Sequence, residues 1–278
     1  MKIVISADST CDLTEEICEK YNIHTNAMPF SLGENDLRYD KVTGTTKDVF
    51  DYVDRTGKLP TTSAYNEYEY TEHFNRLLQD YDAVIHISFS WEISSTGRNA
   101  RLAAENMKNV YTVDSRNLSC GFGLVALECA IWAQMGKSVD EILAHAEEVK
   151  NKVQTSFIID TLEYLHKGGR CSGVARIGAQ LLKIKPKIEI IDGKMEVTKK
   201  YMGNINGCAL RYCDELLKES NPDKKRAFIV SSSPVGAEEK IYQKLKDFGF
   251  EEIYKVEAGP SISIHCGRKT IGVMFIEK

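Results

Sequence analysis

Ile3-Val4-Ile5-Ser6-Ala7-Asp8-Ser9-Thr10-Cys11-Asp12-Leu13-Thr14-Glu15 carries the pattern that decides the fold. Its β-branched, apolar opening predicts a strand over 2–7. Asp12 can accept from the free amides of a helix start, and Glu15, three residues on, can reach back as a capping box, so a helix is predicted over 13–21. Ser9, Thr10 and Cys11 then form the turn at the carboxyl end of the first strand, the edge at which open α/β sheets bind ligands. The same alternation continues along the chain. Apolar runs predict strands at 83–88, 109–114, 156–160, 187–191, 227–231, 252–256 and 271–276. Helix-period segments lie between most of them, at 46–56, 67–79, 96–107, 121–135, 139–153, 206–219 and 236–248. Alternation of this kind implies βαβ units and at least one parallel sheet. A second cluster of strands after about residue 155, with the Gly-rich turn Lys167-Gly168-Gly169-Arg170 and a hairpin at 188–197 around Asp192-Gly193, reads as a separate α/β domain.

The 278 residues are 42% hydrophobic and 27% charged, with only 6 Pro and 19 Gly, which excludes a disordered or fibrous chain. The net charge of −4, from 36 basic and 40 acidic side chains, argues against nucleic acid or an anionic membrane as partner. The start is too short in apolar residues for a secretory signal, so no export is expected and the cytoplasm is the expected location. The most apolar helix candidate, 124–133, is interrupted by Glu128, which argues against a membrane span. Eight cysteines, at 11, 18, 120, 129, 171, 208, 213 and 266, form no C-x-x-C pair. Neither a zinc site nor a redox motif is supported, and free buried thiols in a reducing compartment are expected.

Three motifs resemble catalytic signatures and fail on spacing. Gly121-Phe122-Gly123-Leu124-Val125-Ala126 has the glycines of a dinucleotide fingerprint, but six residues, 115–120, separate it from the preceding strand, and close helix packing explains it as well. Gly136-Lys137-Ser138 lacks the earlier glycine of a phosphate loop, since Ile131 stands there. Gly169-Arg170-Cys171-Ser172-Gly173 places its serine one residue too late for a nucleophile elbow, and no histidine pair has zinc-protease spacing. What remains is a supply of loop hydroxyls: Ser9-Thr10, Thr61-Thr62-Ser63, Ser88, Ser90, Ser94-Ser95-Thr96 and Ser231-Ser232-Ser233. Taken singly these are helix caps and turns; converging at the carboxyl ends of a sheet they suit one anionic group. His265, in Ser263-Ile264-His265-Cys266-Gly267, reads as a turn residue whose ring is exposed or faces a ligand.

Taken in order, Ala7 to Leu13, Pro60-Thr61-Thr62-Ser63, Ile93-Ser94-Ser95-Thr96, Val113-Asp114-Ser115, Asp160-Thr161-Leu162-Glu163-Tyr164-Leu165 with Gly168-Gly169-Arg170, Ile184-Lys185-Pro186 and His265-Cys266-Gly267 resemble the DegV family across essentially the whole chain. The resemblance implies two α/β domains, 1–154 with a mainly parallel sheet and 155–278 with a mixed sheet, and a ligand tunnel between them. It implies a lipid-binding carrier, not an enzyme: one long-chain fatty acid is held in the tunnel, with no cofactor and no metal. A separate fatty-acid kinase would then convert the presented carboxylate to acyl phosphate. Carried over by position, the carboxylate ligands are Thr62, Ser63, Ser94 and His265. Arg170 would contact the kinase or the phosphate it delivers, or else form a surface or domain-bridging ion pair. The chain departs from the family pattern at Ser95, where glycine is usual, and at Cys266 and Arg268, where threonine and proline are usual. A small-molecule enzyme using the Gly121 turn for a nucleotide, and a regulatory protein whose lipid is only structural, are the competing readings.

Overall fold

Ala83–Ser88 is buried at every residue, the mark of a strand covered by helices on both faces. The computed structural model describes residues 1–170 and 184–278; Cys171 and Ser172 lie outside the described residues. Its first half runs β1 (Ile3–Asp8), α1 (Glu15–Tyr21), β2 (Ile23–Asn26), β3 (Pro29–Ser31), β4 (Leu37–Tyr39), α2 (Thr46–Thr56), β5 (Thr61–Thr62), α3 (Glu67–Leu77), β6 (Ala83–Ser88), α4 (Thr96–Glu105), β7 (Val110–Asp114), α5 (Ser119–Gln134) and α6 (Val139–Val149). The second half runs β8 (Val153–Ile158), α7 (Glu163–Lys167), β9 (Ile184–Ile191), β10 (Lys194–Met202), α8 (Ile205–Glu219), β11 (Pro222–Ser231), α9 (Glu238–Phe248), β12 (Glu252–Glu257), α10 (Pro260–Cys266) and β13 (Ile271–Glu277).

Strands β2-β1-β6-β7 form a parallel sheet, and β10-β9-β8-β13-β11-β12 a mixed sheet in which only β11 and β12 pair in parallel. Both were expected. A third sheet, β4-β3-β5, was not: its strands are two or three residues long, and tertiary pairing, not local pattern, creates them. One face of the parallel sheet packs on α3 and α4 through Tyr70, Phe74 and Ala100. The other packs on α5, whose buried residues merge with Phe157, Ile188, Phe228 and Met274 of the mixed sheet into one core. Helix α5 is therefore apolar around its circumference, because it is wedged between the two sheets.

This wedge explains the glycine pair. Gly121 and Gly123 lie inside α5, not in a turn before it. A Cβ on Gly121 would stand 2.0 Å from Thr155 Oγ1, and one on Gly123 would stand 2.7 Å from the Cys11 carbonyl oxygen. Close approach of the helix, to the Thr155 side chain at one position and to the Cys11 backbone at the other, uses both glycines, and the nucleotide reading loses its motif.

Two local expectations are corrected. Asp12 does not cap α1: it adopts the left-handed conformation at φ 53°, and Thr14 is the cap, its hydroxyl accepting from the Ile17 amide. His265 does not sit in a turn but in the last turn of α10, a helix begun by Gly259 with Pro260 at its first position. Among the described residues no helix is long and apolar enough to cross a membrane.

Replacing Gly123 by alanine drives a methyl group against a backbone carbonyl that cannot swing aside. Gly123→Ala is expected to lower unfolding stability in chemical denaturation by about 1–3 kcal/mol. A denaturation midpoint equal to wild type would show that α5 does not depend on this contact.

Candidate functional site

A cavity of about 320 Å³ lies between the parallel and mixed sheets. Most of its wall is apolar, with Phe89, Ile93 and Leu118 contributed by the first half of the chain and Phe157, Met195 and Met274 by the second. Thr62, Ser63, Ser94, Arg170 and His265 all line it. The five positions singled out from sequence, spread over some 200 residues, thus share one cavity.

Each is placed by its own element. Thr62 ends β5 and pairs with Phe30 of β3, while the Ser63 amide donates to the Pro29 carbonyl at 3.1 Å. Ser63 is exposed, so this part of the cavity opens to solvent. Ser94 follows β6: its amide donates to the Ser90 carbonyl at 3.1 Å, and its hydroxyl accepts from the Thr96 amide at 3.2 Å and lies 2.7 Å from Thr96 Oγ1. Ser95 has φ −75° and ψ −10°, an ordinary helical conformation that needs no glycine. On α10, His265 Nε2 is 2.9 Å from Thr62 Oγ1, the one direct hydrogen bond among the five predicted residues. Burial, and then the charge of Arg170, push the His265 ring down to about 4, so it is neutral at pH 7. Gly168 allows α7 to approach this ring, since a Cβ there would stand 2.4 Å from His265 Nδ1. Arg170 donates to the Gly168 carbonyl at 2.8 Å and has no carboxylate partner among the described residues, in contrast to the ion-pair alternative.

These groups can bind and orient an anion. The Thr62 and His265 pair resembles a nucleophile and base, yet among the described residues Nδ1 of His265 has no hydrogen-bond partner, whereas a base in such a triad has a carboxylate there. Among the described residues no group of three or more His, Cys, Asp or Glu is placed to hold a metal ion. In the late hydroxyl cluster, Ser232 lines the cavity while donating to the Gly267 carbonyl at 2.5 Å, and Ser233 accepts from the Lys269 amide at 2.8 Å. Arg268 pairs with Asp54 at 2.5 Å and covers the Phe50 ring.

Sequence reading missed the groups that hold α10 in place. The fully buried Asp12 carboxylate accepts from Ser119 Oγ at 2.6 Å and from the Gly259 amide at 2.8 Å, and pairs with Lys41 Nζ at 3.1 Å. Beside it Asp40, pushed up to about 6 by burial and by the charge of Asp12, accepts from Ser9 Oγ at 3.2 Å. Nothing local to Lys41 marks it as a partner of Asp12, and the Glu15 that follows made Asp12 look like a cap.

A family model described as "Uncharacterised protein, DegV family" matches residues 2–278. A DegV domain-containing protein of Clostridium acetobutylicum is 30% identical over 100% of this chain and 99% of its own. Protein DegV of Bacillus subtilis is 28% identical, with 100% of both chains covered. Among solved structures, a DegV family protein from Thermus thermophilus, reported for its fatty acid binding, superposes with a TM-score of 0.90 at 25% identity over 100% of both chains. The structure of DegV from Bacillus subtilis, described as a fatty acid binding protein, gives 0.84 at 27% identity, again over 100% of both. Across its whole length, this chain belongs to the DegV family.

Proposed function

We propose that this protein is a carrier of one long-chain fatty acid, enclosed between units taken as residues 1–154 and 155–278 and acting in the cytoplasm. The observation that most supports this reading is the cavity itself, a mostly apolar wall with hydroxyls, one neutral imidazole and one guanidinium among its lining residues. Relatives described as fatty acid binding share the fold over full length.

The energetics divide the work. Burying some 14 methylenes at about 0.8 kcal/mol each offers on the order of 10 kcal/mol, so the tail supplies affinity. A carboxylate removed from water without partners costs several kcal/mol. In this reading Thr62, Ser63, Ser94 and His265 satisfy it. Neutral donors orient the anion without binding it so tightly that it cannot react.

The carboxylate is ionised at neutral pH, so its phosphorylation by a separate fatty-acid kinase carrying ATP and Mg²⁺ requires no general base from this chain. Ser63 at the mouth leaves the head group within reach of such a partner. The guanidinium of Arg170 suits the phosphate it would deliver.

Denaturing mass spectrometry of the protein as purified tests the carrier reading: one fatty acid per chain is expected. A nucleotide in its place, or a cavity that takes up no fatty acid, overturns it. Ser63→Ala removes one hydrogen bond to a charged group, about 1.5–3 kcal/mol, and should weaken retention about ten- to hundred-fold. Unchanged retention would remove Ser63 from the carboxylate site. Arg170→Ala should keep its lipid at the wild-type level while acyl-phosphate formation with a cognate kinase slows. Equal loss of both would mark a structural arginine.

A further inference from the structure

The strand register ranks the cavity residues of the mixed sheet by distance from His265. Thr270 and Ser232 form the nearest row: the Ser232 amide donates to the Thr270 carbonyl at 3.1 Å, and Thr270 Oγ1 donates to the Cys266 carbonyl at 2.9 Å. The next row on the same face is Val230, Gly272 and Phe157, paired across β11, β13 and β8. Beyond it comes Met274, opposite Thr155. Met195 lies opposite Ile190, two residues past the Ile188 that pairs with Phe157, and so falls in the Met274 row. Four strand residues separate Thr270 from Met274, about 13 Å at the usual rise. Thr270, Ser232, Val230, Gly272, Phe157, Met195 and Met274 all line the cavity, and the two methionines stand farthest along the sheet from the imidazole.

We propose that Met195 and Met274 form the adjustable end stop of the cavity and set the length of acyl chain it accepts, an inference that rests on the carrier reading. Met274 is buried, and its methyl lies 3.5 Å from the position a Gly272 Cβ would take, so it folds back into the notch that glycine leaves in the cavity floor. An unbranched thioether can swing out of such a notch at small cost. Met195 is the second residue of β10, directly after the β9–β10 hairpin tip, and that tip is fixed to the opposite half of the molecule. The buried Ser90 hydroxyl donates to the Gly193 carbonyl at 2.7 Å, Arg116 pairs with Asp192 at 3.1 Å, and Lys194 lies 3.6 Å from Glu92. The backbone at this end of the cavity is therefore pinned, and the freedom to fit different tails resides in two flexible side chains.

The test is competitive loading. Wild type, Met195→Ala and Met195→Phe are incubated with an equimolar mixture of saturated fatty acids of graded length, and the bound species are counted by mass spectrometry. Truncation to alanine removes three heavy atoms, so the bound distribution should move to longer chains by about two carbons. Phenylalanine should move it to shorter ones. If wild type binds no fatty acid, the carrier reading itself fails. If wild type loads but both variants show its distribution, or lose all lipid without a change in preference, the end-stop assignment is overturned.

Discussion

The arrangement hangs on one buried charge. Asp12 has no exposed surface, and burying an unpaired carboxylate costs several kcal/mol, so its three donors are obligatory. They come from three separate places: Ser119 at the start of α5, Lys41 in the segment after β4, and the amide of Gly259 at the start of α10. Satisfying that single group therefore fixes the wedge helix between the sheets and the helix that carries His265. The left-handed backbone at Asp12, φ 53°, aims the side chain inward when it would otherwise have capped α1.

The cavity beside it draws hydroxyls and a neutral ring from short strands and a short helix, and apolar residues from the start of α5, the β6 loop and the mixed sheet. The departures from the family pattern are absorbed locally. Ser95 is helical, and Arg268 turns away to Asp54 and Phe50.

Much of the scaffold was legible because it is periodic. β6 and α2 have the limits the sequence pattern indicates, 83–88 and 46–56, since each is bounded by turn or capping residues and long enough to show its period. The strands of β3, β4 and β5 were not legible, because two or three residues carry no period and form only where another segment is already in place. Helix α10 was read as a turn for the same reason, although Pro260 after Gly259 is a helix-start signal. At the site, Thr62 and His265 were named through the family resemblance. Their 2.9 Å contact joins residues 203 apart in sequence, which no local pattern encodes. The Asp12 to Lys41 pair was lost because a stronger local explanation, a helix cap, competed for the same aspartate.

The central claim is that an acyl carboxylate rests against His265. Carbon-13 NMR of carboxyl-labelled palmitate bound to the protein, with the His265 ring titrated in parallel, tests it directly. Burial and the charge of Arg170 hold the ring down at about 4. An adjacent anion stabilises the imidazolium, so the ring should titrate at higher pH when palmitate is bound, and the carboxyl resonance should follow that titration. His265→Gln should abolish the coupled shift while palmitate remains bound. A carboxyl resonance that is insensitive to both the titration and the substitution would place the head group elsewhere and contradict this account.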